Sequence, residues 1–212
     1  MAEPARRESA KTRQQPERRQ ALYDFKRKAI LDAARRVLGA FGADALTIRA
    51  VAAEAGYAPG AVYSYFRSRA ELLAELHVQD LAHLARSLRE MKAAEPHGVL
   101  AARLTDLFNH LAHDEGAIDA LMFPMGAGGG DVGPEARRAV TGRFIALLTS
   151  LHEPLAKGGH AVPHANALTL AAAATSIGLA VLSRTGSLEA LQMDGAEVLK
   201  SLSAALIPGE RQ

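Results

Sequence analysis

The stretch GYAPGAVYSYFRSRAELL, residues 56–73, holds three of the chain's four tyrosines, Tyr57, Tyr63 and Tyr65, beside Arg67 and Arg69. A core would take Phe or Leu at these places. Phenols next to guanidinium groups describe a surface that meets an anion. The local signals around the stretch are helical. Thr47 is placed as an N-cap for a short helix with Ile48, Val51, Ala52 and Ala55, and Gly56 breaks it. Pro59 suits the first position of a third short helix running to about Phe66. Ser68-Arg69-Ala70-Glu71 has the spacing of a capping box that opens a long helix through Leu72, Leu76, Leu81, Leu84, Leu88 and Met91. Two short helices joined by a Gly-containing turn make a helix-turn-helix unit, whose second helix enters the DNA major groove with its N-terminal residues against base edges.

That geometry assigns roles. Pro59, Gly60 and Ala61 are small enough for close approach. Val62 and Phe66, four apart, face a core, while Tyr63, Ser64 and Tyr65 project outward with hydroxyls that can donate to phosphate oxygens. Arg69 would add charge against the backbone. Thr47 lies at a helix N-terminus, which favours anions, and Arg49 near it could reach a guanine edge with both arms of its guanidinium.

Charge supports a polyanionic partner at one end only. The chain carries a net +2, but residues 1–70 hold 14 Lys and Arg against 7 Asp and Glu, leaving the remainder net negative. Residues 1–22 are charged and nearly free of large apolar groups, and read as a disordered basic arm. A helix with Ile30, Ala34, Val37, Leu38 and Phe41 on one side follows and ends at Gly42. The reading is therefore an arm over 1–22, a DNA-binding domain over 23–70 and a helical domain over 71–212.

The 212 residues are 49% hydrophobic, rich in Ala and Leu, with no Trp and no strand-like alternation of useful length, so the fold class is all-α. The chain has no cysteine, which removes disulfides and thiolate metal sites and fits a reducing cytosol. No apolar signal segment is visible at the N-terminus. The run ANALTLAAAATSIGLAVLS, residues 165–183, is long enough to span a bilayer. Its alanines and embedded Asn166, Thr169, Thr175, Ser176 and Gly178 fit better a helix apolar on all sides and buried in protein, so no membrane partner is expected.

Residues 26–73 resemble the DNA-binding domain of TetR-family transcriptional regulators. The resemblance rests on Thr47, Ala52, Gly56, then Gly60-Ala61-Val62-Tyr63-Ser64-Tyr65-Phe66 and Ser68-Arg69-Ala70-Glu71-Leu72, over about 48 residues. Two positions depart from the family pattern. Ala58 stands where Ser or Thr often caps the third helix, and Arg69 stands where Lys is common. The resemblance implies an all-helical homodimer with a C-terminal ligand-binding and dimerisation domain, a cytoplasmic location, and a repressor released from a palindromic operator by a small molecule. It also implies dimerisation through the last two long helices, here the 165–183 run and a helix near 194–206. A ligand-independent DNA-binding protein, or a helical carrier or enzyme with a vestigial DNA domain, stands as the alternative.

Beyond residue 73 the signal thins. A pocket for an apolar or amphipathic effector would lie among the helices between 99 and 182. Its candidate lining is Leu104, Phe108, Leu111, Met122, Phe123, Phe144, Leu148 and Thr175, with Asn109, His110 or His152 as polar anchors. His110 and His113 share a helix face, but two imidazoles are too few for a zinc site, and no metal or cofactor is expected. GGGDVG, residues 128–133, has the glycine spacing of a dinucleotide fingerprint but no preceding strand, so it reads as a loop. No nucleophile with its base is selected, and the chain is not expected to be an enzyme.

Overall fold

The computed structural model describes residues 3–114, 117–118 and 133–207, with side chains from residue 16 onward. All of the regular structure among them is helical. The helices are α1 Glu3–Ala45, α2 Ile48–Ala55, α3 Pro59–Tyr63, α4 Arg69–Glu90, α5 Pro96–His113, α6 Pro134–Lys157, α7 Val162–Arg184, α8 Ser187–Ala190 and α9 Gly195–Leu206. The chain divides into two compact units, Met1–Leu72 and Leu73–Gln212.

In the first unit, α2 packs against α1 and α3. Helix α1 takes in most of the stretch read as an arm and continues through Pro16. It is broken at Gly42, whose φ of 77° is left-handed, and a short turn brings the chain to Leu46. Ile30, Leu31, Ala33, Ala34 and Val37 are buried on α1, as are Leu46, Ile48, Val51, Ala52, Val62 and Phe66 after it. Burial of a side chain such as Phe66 contributes roughly 1.5–3 kcal/mol. Phe41 does not join this core as its spacing suggests. It is 72% exposed and lies with Val37, Ala45, Ala50 and Ala53 around a shallow hollow.

In the second unit, α5 is the central element, packed against α6, α7 and α9. α4 stops at Glu90, and Pro96 is the first residue of α5, where its missing N–H is not needed. Helix α7 is long and apolar enough to cross a membrane by length and composition. It packs against α5, α6, α8 and α9. It is not buried all round, as its composition suggests. Ala165, Thr169, Ala172, Ala173, Ser176, Leu179 and Ala180 are buried, whereas Leu170, Val181 and Leu182 are exposed on its other side. The small residues explain the close packing. The Ser176 hydroxyl reaches the carbonyl of Leu104, and the N-terminus of α9 meets the Phe108 ring so closely that a Cβ on Gly195 would stand 2.6 Å from it.

Candidate nucleic-acid interface

The turn from α2 to α3 is set by local hydrogen bonds. The Thr47 hydroxyl accepts from the Ala50 N–H at 3.1 Å and caps α2. This leaves the Thr47 O–H proton for an outside acceptor such as phosphate. At the other end Gly56, at φ 73°, turns the chain left-handed, and the N–H groups of Gly56 and Tyr57 close onto the carbonyls of Ala53 and Ala52. Helix α3 then starts at Pro59. Ala58 gives it no side-chain cap, as the departure from the family pattern implies. It is shorter than expected, ending at Tyr63, and Tyr65 and Phe66 continue it as a turn that closes onto the carbonyl of Val62.

Val62 and Phe66 are fully buried, and this fixes which side of the turn faces out. Pro59, Gly60, Ala61, Tyr63 and Ser64 are exposed together with Thr47 and Arg49. They are small groups, hydroxyls and a guanidinium, a set suited to a nucleic-acid backbone and base edges. Arg49 makes no hydrogen bond or ion pair among the described residues. Replacing Arg49 with alanine is expected to relax preference at particular base pairs, by about 1–3 kcal/mol at each pair it reads. Affinity measured over a set of single-base variants of a bound site checks this, and an equal loss on every variant would make Arg49 a backbone contact.

Two site residues behave differently from the sequence reading. Tyr65 does not project freely. It is half-buried, and its ring lies 4.8 Å from that of Tyr23, centre to centre, with the planes tilted by 33°. The chain's fourth tyrosine is thus on α1, supporting the third. Arg69 is also turned inward. Its Nε donates to the carbonyl of Leu46 at 2.8 Å and its Nη2 to that of Ala43 at 2.7 Å. These carbonyls belong to the irregular turn after Gly42, where that of Ala43 also accepts from the Leu46 N–H. Arg69 therefore fastens the start of α4 to the α1–α2 turn. Nearby, Arg27 lies over the Phe66 ring at 5.0 Å from its centre. The start of α4 is capped as the sequence indicates on one side, where the Ser68 hydroxyl accepts from the Glu71 N–H. The return contact from Glu71 lands one residue earlier, on the Arg67 N–H.

The ligand candidates separate. Leu104, Phe108 and Leu111 are buried on α5, and Phe108 is packed against Gly195, so these three belong to the packed core that holds α5 in place. Asn109 is exposed and is not an anchor for an interior ligand, since its neighbours on the inward stripe are the leucines. Phe144 and Leu148 are half-buried on α6. His152 is half-buried too, and its Nδ1 lies 3.3 Å from the Thr169 hydroxyl on α7. Thr175 bonds back to the carbonyl of Ala171 in its own helix. Met122, Phe123 and most of the glycine-rich loop lie outside the described residues. Among the described residues no three His, Asp or Glu side chains are grouped as a metal site would need, and His113 is bonded to the backbone of Asn109. The sequence reading passed over Arg103, which is 3% exposed. A usable signal was there. Leu100, Arg103, Leu104 and Leu107 sit at helical spacing, which puts a guanidinium on the apolar stripe of α5.

Residues 30–76 match the family model described as bacterial regulatory proteins, tetR family. A search of the curated proteins gives no match. Among solved structures, a protein of unknown function from Rhodococcus sp. RHA1 is 25% identical with a TM-score of 0.69, covering 88% of this chain and 96% of that one. A transcriptional regulator of the TetR/AcrR family from Thermobifida fusca is 18% identical with a TM-score of 0.61, covering 88% and 98%. FadR from Bacillus subtilis, solved in complex with stearoyl-CoA, is 20% identical with a TM-score of 0.58, covering 87% and 99%. The matched segment contains the whole α2–α3 unit with its exposed face, and the likeness of fold extends over nearly the full length of these structures. Residues 30–76 thus form a domain of the tetR family of bacterial regulatory proteins, and the fold of the chain as a whole is like that of the solved structures above.

Proposed function

We propose that the protein is a cytoplasmic, homodimeric repressor that holds an inverted-repeat operator and releases it when a small apolar or amphipathic effector binds its C-terminal unit. The observation that carries the reading is the outward face of the α2–α3 unit. Thr47, Arg49, Gly60, Tyr63 and Ser64 are exposed on this unit, whose core is closed by Val62 and Phe66. A single such face reads only one half-site. Two copies about 34 Å apart read a palindrome.

A dimer face is available on α7. Ala167, Leu170, Ala171, Ala174, Gly178 and Val181 are exposed along one side of that helix, and α9 packs beside it. An exposed apolar stripe of small residues suits a close helix-to-helix contact between copies. Effector control is supported by the likeness of fold to FadR from Bacillus subtilis, a structure that contains stearoyl-CoA. Helix α4 belongs to both units by chain continuity. An effector that favours one setting of α4 shifts the population of DNA-competent dimers by its difference in affinity for the two settings.

The test is to sequence genomic fragments retained by the purified protein at about 0.15 M salt, where non-specific binding is weak. A short inverted repeat common to the retained fragments is the expected outcome. Retention with no shared sequence would favour a ligand-independent DNA-binding protein. No retention would leave the carrier reading and sink this one.

A further inference from the structure

One cavity lies apart from the interior positions considered above. It has a volume of about 400 Å³ and sits where the end of α4, the start of α5 and the end of α6 meet, with Arg89, Lys92, Glu95, Arg103, Glu153 and Lys157 on its walls. That size is within the range of small-ligand pockets. Four cations face two carboxylates there, and the carboxylates are not equally free. Glu153 is held by the Lys157 ammonium at 2.7 Å and by Arg103 Nη1 at 3.0 Å. These two contacts, Lys157 first, keep its carboxyl below the usual range, so its charge is already answered.

Arg103 is the unusual group. A buried guanidinium normally has its donors fully matched, because an unmet buried charge is costly. Here Nη1 serves the Ser150 carbonyl and Glu153. Among the described residues Nη2 reaches only the Arg89 carbonyl, at 3.5 Å, and Nε is buried with no partner. Beside it, the N-terminus of α5 has no side-chain cap, since Glu95 does not bond back to it. Uncapped helix N–H groups and an under-matched guanidinium both favour an anion. Lys92 adds a cation with no ion pair among the described residues. The rest of the wall is apolar and includes Met91, Val99 and Pro154.

We propose that this cavity binds a small amphiphile with one anionic head, a carboxylate or a phosphate monoester, held by Arg103 and Lys92, with its hydrocarbon part along Met91 and Val99. Binding stands on these residues alone. That such binding releases DNA rests on the effector reading above.

Calorimetric titration of the full-length protein with octanoate, octyl phosphate and 1-octanol tests it. These probes share one hydrocarbon chain and differ in the head. At least one of the anions is expected to bind about tenfold or more tightly than the alcohol, and which anion is tighter names the head. Lys92→Gln removes a surface charge and leaves the core intact. It is expected to weaken the anions about 3- to 10-fold and leave 1-octanol unchanged. Equal binding of alcohol and anions, no binding of any probe, or anion affinity indifferent to Lys92→Gln would each overturn the proposal. Adding the tighter anion to a protein–DNA complex separates the two readings. Anion binding with DNA retained supports the site and removes the effector role.

Discussion

Replacing Gly60 with leucine is expected to leave the N-terminal domain folded, and slightly more stable, while operator affinity falls by about 10- to 100-fold. The two effects have separate origins. A Cβ built on Gly60 meets no atom within 4 Å, and the residue does not have the left-handed φ that would call for glycine. Nothing inside the fold requires glycine there. Within a helix, leucine is favoured over glycine by about 0.5–1 kcal/mol. On the proposed reading the reason to lack a side chain at this point lies outside the chain, where the first turn of α3, with Pro59 and Ala61 exposed beside it, would come against base edges. An isobutyl group would hold that turn away and forfeit contacts of about 1–3 kcal/mol each, and tenfold in affinity is about 1.4 kcal/mol. Thermal melting and fluorescence anisotropy on one preparation check both halves. Unchanged affinity would remove the start of α3 from the groove, and a lowered melting temperature would place the cause in the fold.

Much of the N-terminal domain was legible because its signals are local. Thr47 capping α2, Gly56 turning left-handed and Ser68 capping α4 each concern a bond to a residue two to four positions away. A sequence states such contacts directly. What it did not state were the contacts that join distant positions. Arg69 reaches Leu46 and Ala43 across 23 and 26 residues, and Tyr65 finds Tyr23 on another helix. An arginine or tyrosine beside a DNA-reading helix looks the same in sequence whether it faces phosphate or supports the fold. Only the direction of its side chain decides.

The C-terminal unit was legible as helices but not as a site. Leu104, Phe108 and Leu111 carry the period of a buried face, and that period is shared by core and pocket linings alike. The approach of Phe108 to Gly195 decides for core, and no pattern links those two positions. α7 shows the same limit from the other side. Its alanines are uniform around the helix, so composition could not say that Leu170 and Val181 are uncovered. Arg103 is the converse case. A charge on an apolar stripe is a visible irregularity, and it marks the buried group with an unmet donor.

Replacing Arg69 with methionine is expected to destabilise the N-terminal domain by about 2–4 kcal/mol, from two lost hydrogen bonds to a charged donor at about 1.5–3 kcal/mol each, reduced by partial exposure. Methionine keeps the length and the apolar stem, so packing is largely retained and the loss is that of the donors. The carbonyls of Ala43 and Leu46, the first still accepting from the Leu46 N–H, lie in the turn that joins α1 to α2. DNA affinity should fall as well, because α2 and α3 are placed by that turn. The salt dependence distinguishes this from a direct contact. A side chain that neutralises a phosphate releases a counterion, and its removal lowers the slope of log affinity against log salt by about 0.9. A clamp removed from inside the domain weakens binding at every salt concentration and leaves the slope as it was. Arg69→Lys sharpens the comparison. Lysine restores the charge but cannot offer two donors in one plane. It should therefore recover little of the stability, whereas a phosphate contact would be recovered in large part. Full stability with a lowered slope in Arg69→Met, rescued by Arg69→Lys, would return Arg69 to the DNA backbone.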